Sequence, residues 1–357
     1  MAALTTTTTS ESESSTSSKK PLYENSTQFR NWRFSPEQLA HTRATLNVAA
    51  VAVIRNTFEA DEPGSSANVS FIGADEEHLL VKLYAGKITQ LCGHFRFPEE
   101  VEATAVSYLK RFYLKNTVMD WHPKNVMLTA LFLATKTTNN PISLEAYTSN
   151  IPKTSPSDVL DLEFLVAQSL GFEFAVWHAH RALWGIWLDL QSIPVAVEDR
   201  PQEIYTTALN QLRASRLTDA ELIYTPSQIA LACLSLASPS LASQWIAFKL
   251  PSPSSSSTLE ATVDAIKNMI STSGHVPDVE SVREVDRRLK LCKNPEKVVG
   301  SKAYLARRAA EEKQAEEKRN RKAQVVRQAM EDDDPFGDEL GGKPAALKLQ
   351  DLDDDDE

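Results

Sequence analysis

Between about Asp75 and Ile270 the apolar residues recur at helical spacing, in segments separated by prolines. Val101, Ala105, Tyr108, Leu109 and Phe112 stand at i, i+4, i+7, i+8 and i+11, one face of a helix. Pro123 opens the next segment. Its stretch Val126 to Ala134 is apolar almost all round, which predicts a buried central helix. Ser155-Pro156-Ser157-Asp158 starts another segment, predicted to run to Gly171. Upstream, Ser35-Pro36-Glu37-Gln38 is a helix start with physical logic: Ser35 can cap, Pro36 falls where no amide hydrogen is needed, and Gln38 can reach back in a capping box. That helix is predicted to reach about Phe58, before a loop at Asp61 to Ser66. No stretch alternates Val, Ile and Thr between turn residues, so the predicted fold class is all-α.

The pattern repeats. At a shift of 103 residues, Pro123–Ala134 (PKNVMLTALFLA) falls on Pro226–Ala237 (PSQIALACLSLA). Without a gap, Ala105 then falls on Ala208, Leu109 on Leu212, Lys110 on Arg213 and Leu114 on Leu217. Solenoid repeats are usually roughly 20–50 residues long, so this longer spacing predicts two similar helical domains. Downstream, Pro251-Ser-Pro-Ser-Ser-Ser-Ser reads as a flexible connector before an apolar helix near Leu259–Ile270. Val282, Val285 and Leu289 mark a further amphipathic turn or two, interrupted at Pro295 and Gly300. Residues 301–330 form a charged helix with little apolar face, either solvated or docked on a partner.

Charge changes the picture of the two ends. The net charge is −10, yet residues 281–330 hold 15 Lys/Arg against 7 Asp/Glu, and residues 331–357 hold 2 against 12. The remaining body, residues 1–280, is therefore acidic, a poor match for a phosphate backbone whose binding rests on Lys and Arg. The Thr/Ser/Glu-rich stretch 1–20 buries too little apolar surface to fold and has no apolar run resembling a secretory signal. The longest apolar stretches fall short of the roughly 20 residues that span a bilayer. Cys92, Cys233 and Cys292 stand apart, without metal-ligand spacing, which suits reduced thiols.

No nucleophile beside a base, no phosphate-cradling glycine loop and no ligand cluster is visible. His178-x-His180 lacks companion ligands, and His122 is placed to cap or pack at the helix that Pro123 opens. Two charges are out of place. Lys136 lies on the stripe of Phe132 and Leu133, and Glu163 on the stripe Leu160, Phe164, Ala167 and Leu170. Either they form an internal salt bridge between two helices, or they are displayed at a surface where they meet a partner's backbone. At the 103-residue shift they fall on Pro239 and Ile266, so only the first copy carries the pair.

Three passages, Leu22–Ser35 (LYENSTQFRNWRFS), Tyr108–Pro123 (YLKRFYLKNTVMDWHP) and Leu217–Leu231 (LTDAELIYTPSQIAL), resemble the cyclins, and within them the cyclin H branch, over about residues 21–293. The resemblance implies two tandem five-helix cyclin boxes, over 75–173 and 174–275. Around them it implies flanking helices, in an N-terminal segment over 21–74 and in C-terminal helices over 276–330, while composition predicts a disordered tail over 1–20 and an acidic disordered tail over 331–357. It implies a non-catalytic activator with kinase-binding residues at Lys136 and Glu163 and with no cofactor or metal. The implied partners are a cyclin-dependent kinase catalytic subunit, the assembly factor of the CDK-activating kinase (CAK) and the TFIIH core, in the nucleus. That kinase acts on the RNA polymerase II C-terminal domain and on CDK activation loops. Leu79–Gly86 lacks the Met-Arg-Ala-Ile-Leu patch with which cell-cycle cyclins dock substrates, and Thr137–Asn140 stand where many cyclins are acidic. A cyclin of the C type and a cyclin-fold, TFIIB-like DNA-binding factor are the alternative readings.

Overall fold

The structure, a computed structural model, describes residues 21–192, 201–249 and 253–332. A 3-10 turn (Leu22–Asn25) and the short α1 (Thr27–Asn31) lead into α2 (Pro36–Asp61). A first bundle follows: α3 (Ala74–Phe95), α4 (Glu99–Phe112), α5 (Pro123–Thr137), α6 (Leu144–Ser149), α7 (Ser157–Leu160) and α8 (Glu163–Ser169). A second comprises α9 (Ala179–Ser192), α10 (Pro201–Ser215), α11 (Ala220–Ile223), α12 (Pro226–Ala237), α13 (Pro239–Lys249) and α14 (Pro253–Ser273). Next, α15 (Val279–Leu291) packs Val282, Val285 and Leu289 into the first core. From Val299 onward the chain forms a separate unit containing α16 (Lys302–Asp332). Among the described residues there is no strand.

The predicted starts are physical features of the helices. Ser35 Oγ accepts from the Gln38 amide at 3.2 Å, and Gln38 Oε1 accepts from the Ser35 amide at 2.8 Å, a complete capping box. The repeat is structural as well: Pro123 and Pro226 both open buried helices, α5 and α12. Ala105 and Leu109 of α4 are buried in one core, and Ala208 and Leu212 of α10 in the other.

Three expectations shift. The segment predicted from Ser155 to Gly171 breaks at Asp161–Leu162 into α7 and α8. The connector predicted at 251–257 is already helical from Pro253, since proline suits a first helical position. The last helix continues to Asp332, two residues into the predicted acidic tail; the rest of that tail and residues 1–20 lie outside the described residues.

What joins the bundles is α4. Its apolar stripe serves the first core, and its polar side is buried too, against the second bundle. Arg216 meets Glu99 at 2.7 Å and Glu102 at 3.0 Å, while Lys110 meets Glu221 at 2.9 Å and donates to Thr218 O at 2.6 Å. Ser107 donates to Glu221 at 2.7 Å. Opposite charges out of water are tolerable only as satisfied pairs, so this face selects one docking of the two bundles. Across the same junction, Arg43 of α2 grips Asp219 with two bonds of 2.7 Å. Burial pushes the Asp219 carboxyl up, but the Arg43 hydrogen bonds and charge outweigh it and hold the pKa at about 2.

Candidate functional site

Lys136 and Glu163 come together. Helix α5 ends in a Schellman motif: Asn139 adopts φ +59°, the Asn140 amide donates to Thr135 O at 2.9 Å and the Asn139 amide to Lys136 O at 3.4 Å. Asparagine tolerates this left-handed position, so Thr137–Asn140 stop the helix. The stop leaves Lys136 in the last turn of α5. The break before α8 makes Glu163 the first residue of that helix. A cation at a helix C-terminus and an anion at a helix N-terminus each suit the local dipole, which favours this arrangement before the two side chains meet.

They meet at 2.5 Å, Lys136 Nζ to Glu163 Oε1, with Nζ also 4.5 Å from the Phe132 ring centroid. Their side chains are 43% and 24% exposed, so the pair sits at the surface. Exposed ion pairs contribute only about 0–1 kcal/mol. The fold does not depend on this one.

The apolar stripe expected around Glu163 is half buried. Ala167 and Leu170 are in the core, but Leu160, across the break at Asp161–Leu162, is 45% exposed and Phe164, in the first turn of α8, is 70% exposed. Phe172 joins them at 55% exposure, its ring 6.1 Å from that of Phe164 in an edge contact. Gly171 and Phe172 close α8 with φ of +61° and +57°. Glycine is at ease there; a bulky aromatic is not, and such strain persists only where surrounding structure enforces it. Gly171 donates to Gln168 O at 2.8 Å and Phe172 to Ala167 O at 3.0 Å, which enforces it. Phe172 was not marked by the sequence pattern. A phenylalanine following a helix-ending glycine is the signal that would have found it.

At the matching point of the second bundle no such site forms. Pro239 starts α13 where α5 has Lys136, and Ile266 is fully buried where α8 has Glu163.

The other titratable candidates are structural. His122 caps α5, its Nδ1 accepting from the Lys124 amide at 3.1 Å while Nε2 lies 3.1 Å from Asp286. His178 and His180 stack at 5.1 Å, with His178 Nε2 3.0 Å from Thr104 Oγ1. Burial depresses both: His180 to about 4, with the Arg216 charge adding to it, and His178 well below its ordinary value. Among the described residues no group of three or more His, Cys, Asp or Glu is arranged to hold a metal ion, and no helix is long and apolar enough to cross a membrane.

Two family models match in succession, "Cyclin, N-terminal domain" over residues 77–175 and "Cyclin C-terminal domain" over 178–271. The chain is 31% identical over 299 residues to Cyclin mcs2 of Schizosaccharomyces pombe, covering 81% of this chain and 91% of that one. It is 33% identical over 227 residues to Cyclin-H of Xenopus laevis, covering 61% and 69%. Its fold matches a chain in the structure of the CAK complex from Chaetomium thermophilum bound to ATP-gamma-S. That match has a TM-score of 0.72 and 27% identity, over 90% of this chain and 98% of that one.

Proposed function

The chain belongs to the cyclin family, and from that premise we propose that it is the regulatory subunit of a cyclin-dependent kinase of the CAK type, docking that kinase through the surface around Lys136 and Glu163. The observation that carries the reading is that pair, at the surface beside the exposed Leu160, Phe164 and Phe172 of the first bundle. Aromatic anchors bordered by a few charges are the composition of an interface hot spot. On docking, the Lys136 ammonium is free to turn to a partner's carbonyl oxygens and the Glu163 carboxylate to its amide hydrogens.

Activation follows as a shift of populations. The kinase samples working and idle arrangements, and a rigid surface that binds the working one better draws the ensemble toward it. In that arrangement the kinase's own Lys–Glu ion pair and its metal-binding Asp are in place. This chain supplies no reacting group; it is a non-catalytic activator. Its cyclin boxes span 75–173 and 174–275, and its other partners are the CAK assembly factor and the TFIIH core. Its place is the nucleus, where the kinase acts on the RNA polymerase II C-terminal domain and CDK activation loops.

The test is phosphate transfer by a purified CAK-type kinase titrated with the full chain. The chain raises the rate, and Glu163→Ala weakens that activation while its unfolding stays cooperative. Activation by Glu163→Ala equal to that by the unaltered chain contradicts the reading.

A further inference from the structure

Outside the boxes, α16 carries a charge pattern that the proposed kinase-docking surface does not use. In the second unit, α16 is exposed at every position from Arg308 to Val326, so no packing holds it. Its early cations are paired along the helix, Arg307 with Glu311 and Arg308 with Glu312. Lys318-Arg319-Asn320-Arg321-Lys322 differs. These four cations in five residues are all exposed and carry no ion pair among the described residues, and no acid occurs between Lys318 and Arg327. Short Lys/Arg-rich runs serve either as nuclear import signals or as nucleic-acid patches.

We infer that Lys318–Lys322 is a nuclear import signal, read by the acidic, aromatic-lined groove of an import adaptor. Two observations favour this occupant over a nucleic acid. The run is short and bounded, by Glu316 and Glu317 on one side and Glu331 and Asp332 on the other, within a chain of net charge −10. A polyanion gains affinity with each phosphate neutralised along a longer footprint, and the flanking carboxylates oppose it; a groove that reads about five residues avoids them. In addition, this turn is exposed all round, so unwinding it to lay its side chains into a groove breaks no tertiary packing and costs only the helix's own hydrogen bonds. Ammonium and guanidinium groups then meet carboxylates and ring faces.

The test uses the full chain and the quadruple variant K318A/R319A/R321A/K322A, alanine being chosen to preserve the helix. Binding to a purified import adaptor at physiological salt is expected to weaken at least about tenfold, a loss of about 1.4 kcal/mol. The variant is expected to activate its kinase normally, which separates this inference from the proposed function. The charge-preserving K318R/K322R variant is expected to retain adaptor binding. Equal adaptor binding by chain and quadruple variant overturns the inference. So does salt-sensitive binding of a DNA duplex that the quadruple variant alone loses, with the adaptor unbound by either.

Discussion

At the scale of single residues, the site is defined by side chains that the fold does not require. Lys136 and Glu163 contribute at most about 1 kcal/mol to stability as an exposed pair, yet they occur only in the first of two copies of the same bundle. Their position on apolar stripes marked them in the sequence. What the stripes did not convey is that Leu160 and Phe164 face outward: Leu160 belongs to α7, across a break at Asp161–Leu162 that periodicity does not mark, and Phe164 stands exposed in the first turn of α8. Phe172 offers a sharper test, since its backbone is strained and its ring half exposed. Phe172→Gly relieves a left-handed strain of about 1–2 kcal/mol, which offsets the contacts and chain rigidity it removes. The expected outcome is a melting midpoint close to that of the unaltered chain together with weaker kinase binding, measured by thermal unfolding and by titration. A large loss of stability would instead mark Phe172 as part of the core.

At the scale of elements, α4 shows why helix prediction succeeded while the relation between the bundles stayed hidden. Its apolar positions announced a helix with one buried face, but they say nothing of Glu102, Lys110 and Arg111, and all three are buried. The partners of Glu102 and Lys110, Arg216 and Glu221, lie more than a hundred residues away, and charge pairing over such separations has no signature along a sequence. The N-terminal segment was equally silent about its contacts. Gln28 accepts from the Trp177 amide at 2.6 Å, and Trp32 donates to Glu173 at 2.5 Å while Arg111 lies over its ring, so the aromatic run clasps the linker between the bundles. Glu99 keeps Arg213 as a second partner, but the buried Glu102 pairs with Arg216, so Arg216→Ala leaves that carboxylate buried without its cation. The expected cost is roughly 3–5 kcal/mol, read as a lower urea midpoint; a change below about 1 kcal/mol, the range of exposed pairs, would show that water screens this junction.

At the scale of the whole molecule, acid is expected to loosen the boxes before any single group does. Burial lowers His78 to about 4, His180 to about 4, and His122 and His178 in the same direction. Between the unfolded value near 6.5 and these folded values the unfolded chain binds protons that the native one refuses, so stability falls as pH drops from about 6.5 to about 4, by up to about 1.4 kcal/mol per pH unit for each group. Glu77, raised by burial, acts the other way but alone. Urea midpoints at pH 7.5, 5.5 and 4.5 are expected to decrease in that order, and a rise toward pH 4.5 would refute the assignment of neutral buried histidines. The central claim, that a kinase settles on the first bundle around Lys136 and Glu163, is tested most directly by amide hydrogen exchange of the full chain with and without its kinase. Slowed exchange is expected at the end of α5 and across 157–174, with the second bundle's outer helices α9 and α13 unchanged. Protection centred on those outer helices, with none at the end of α5 or across 157–174, would contradict it.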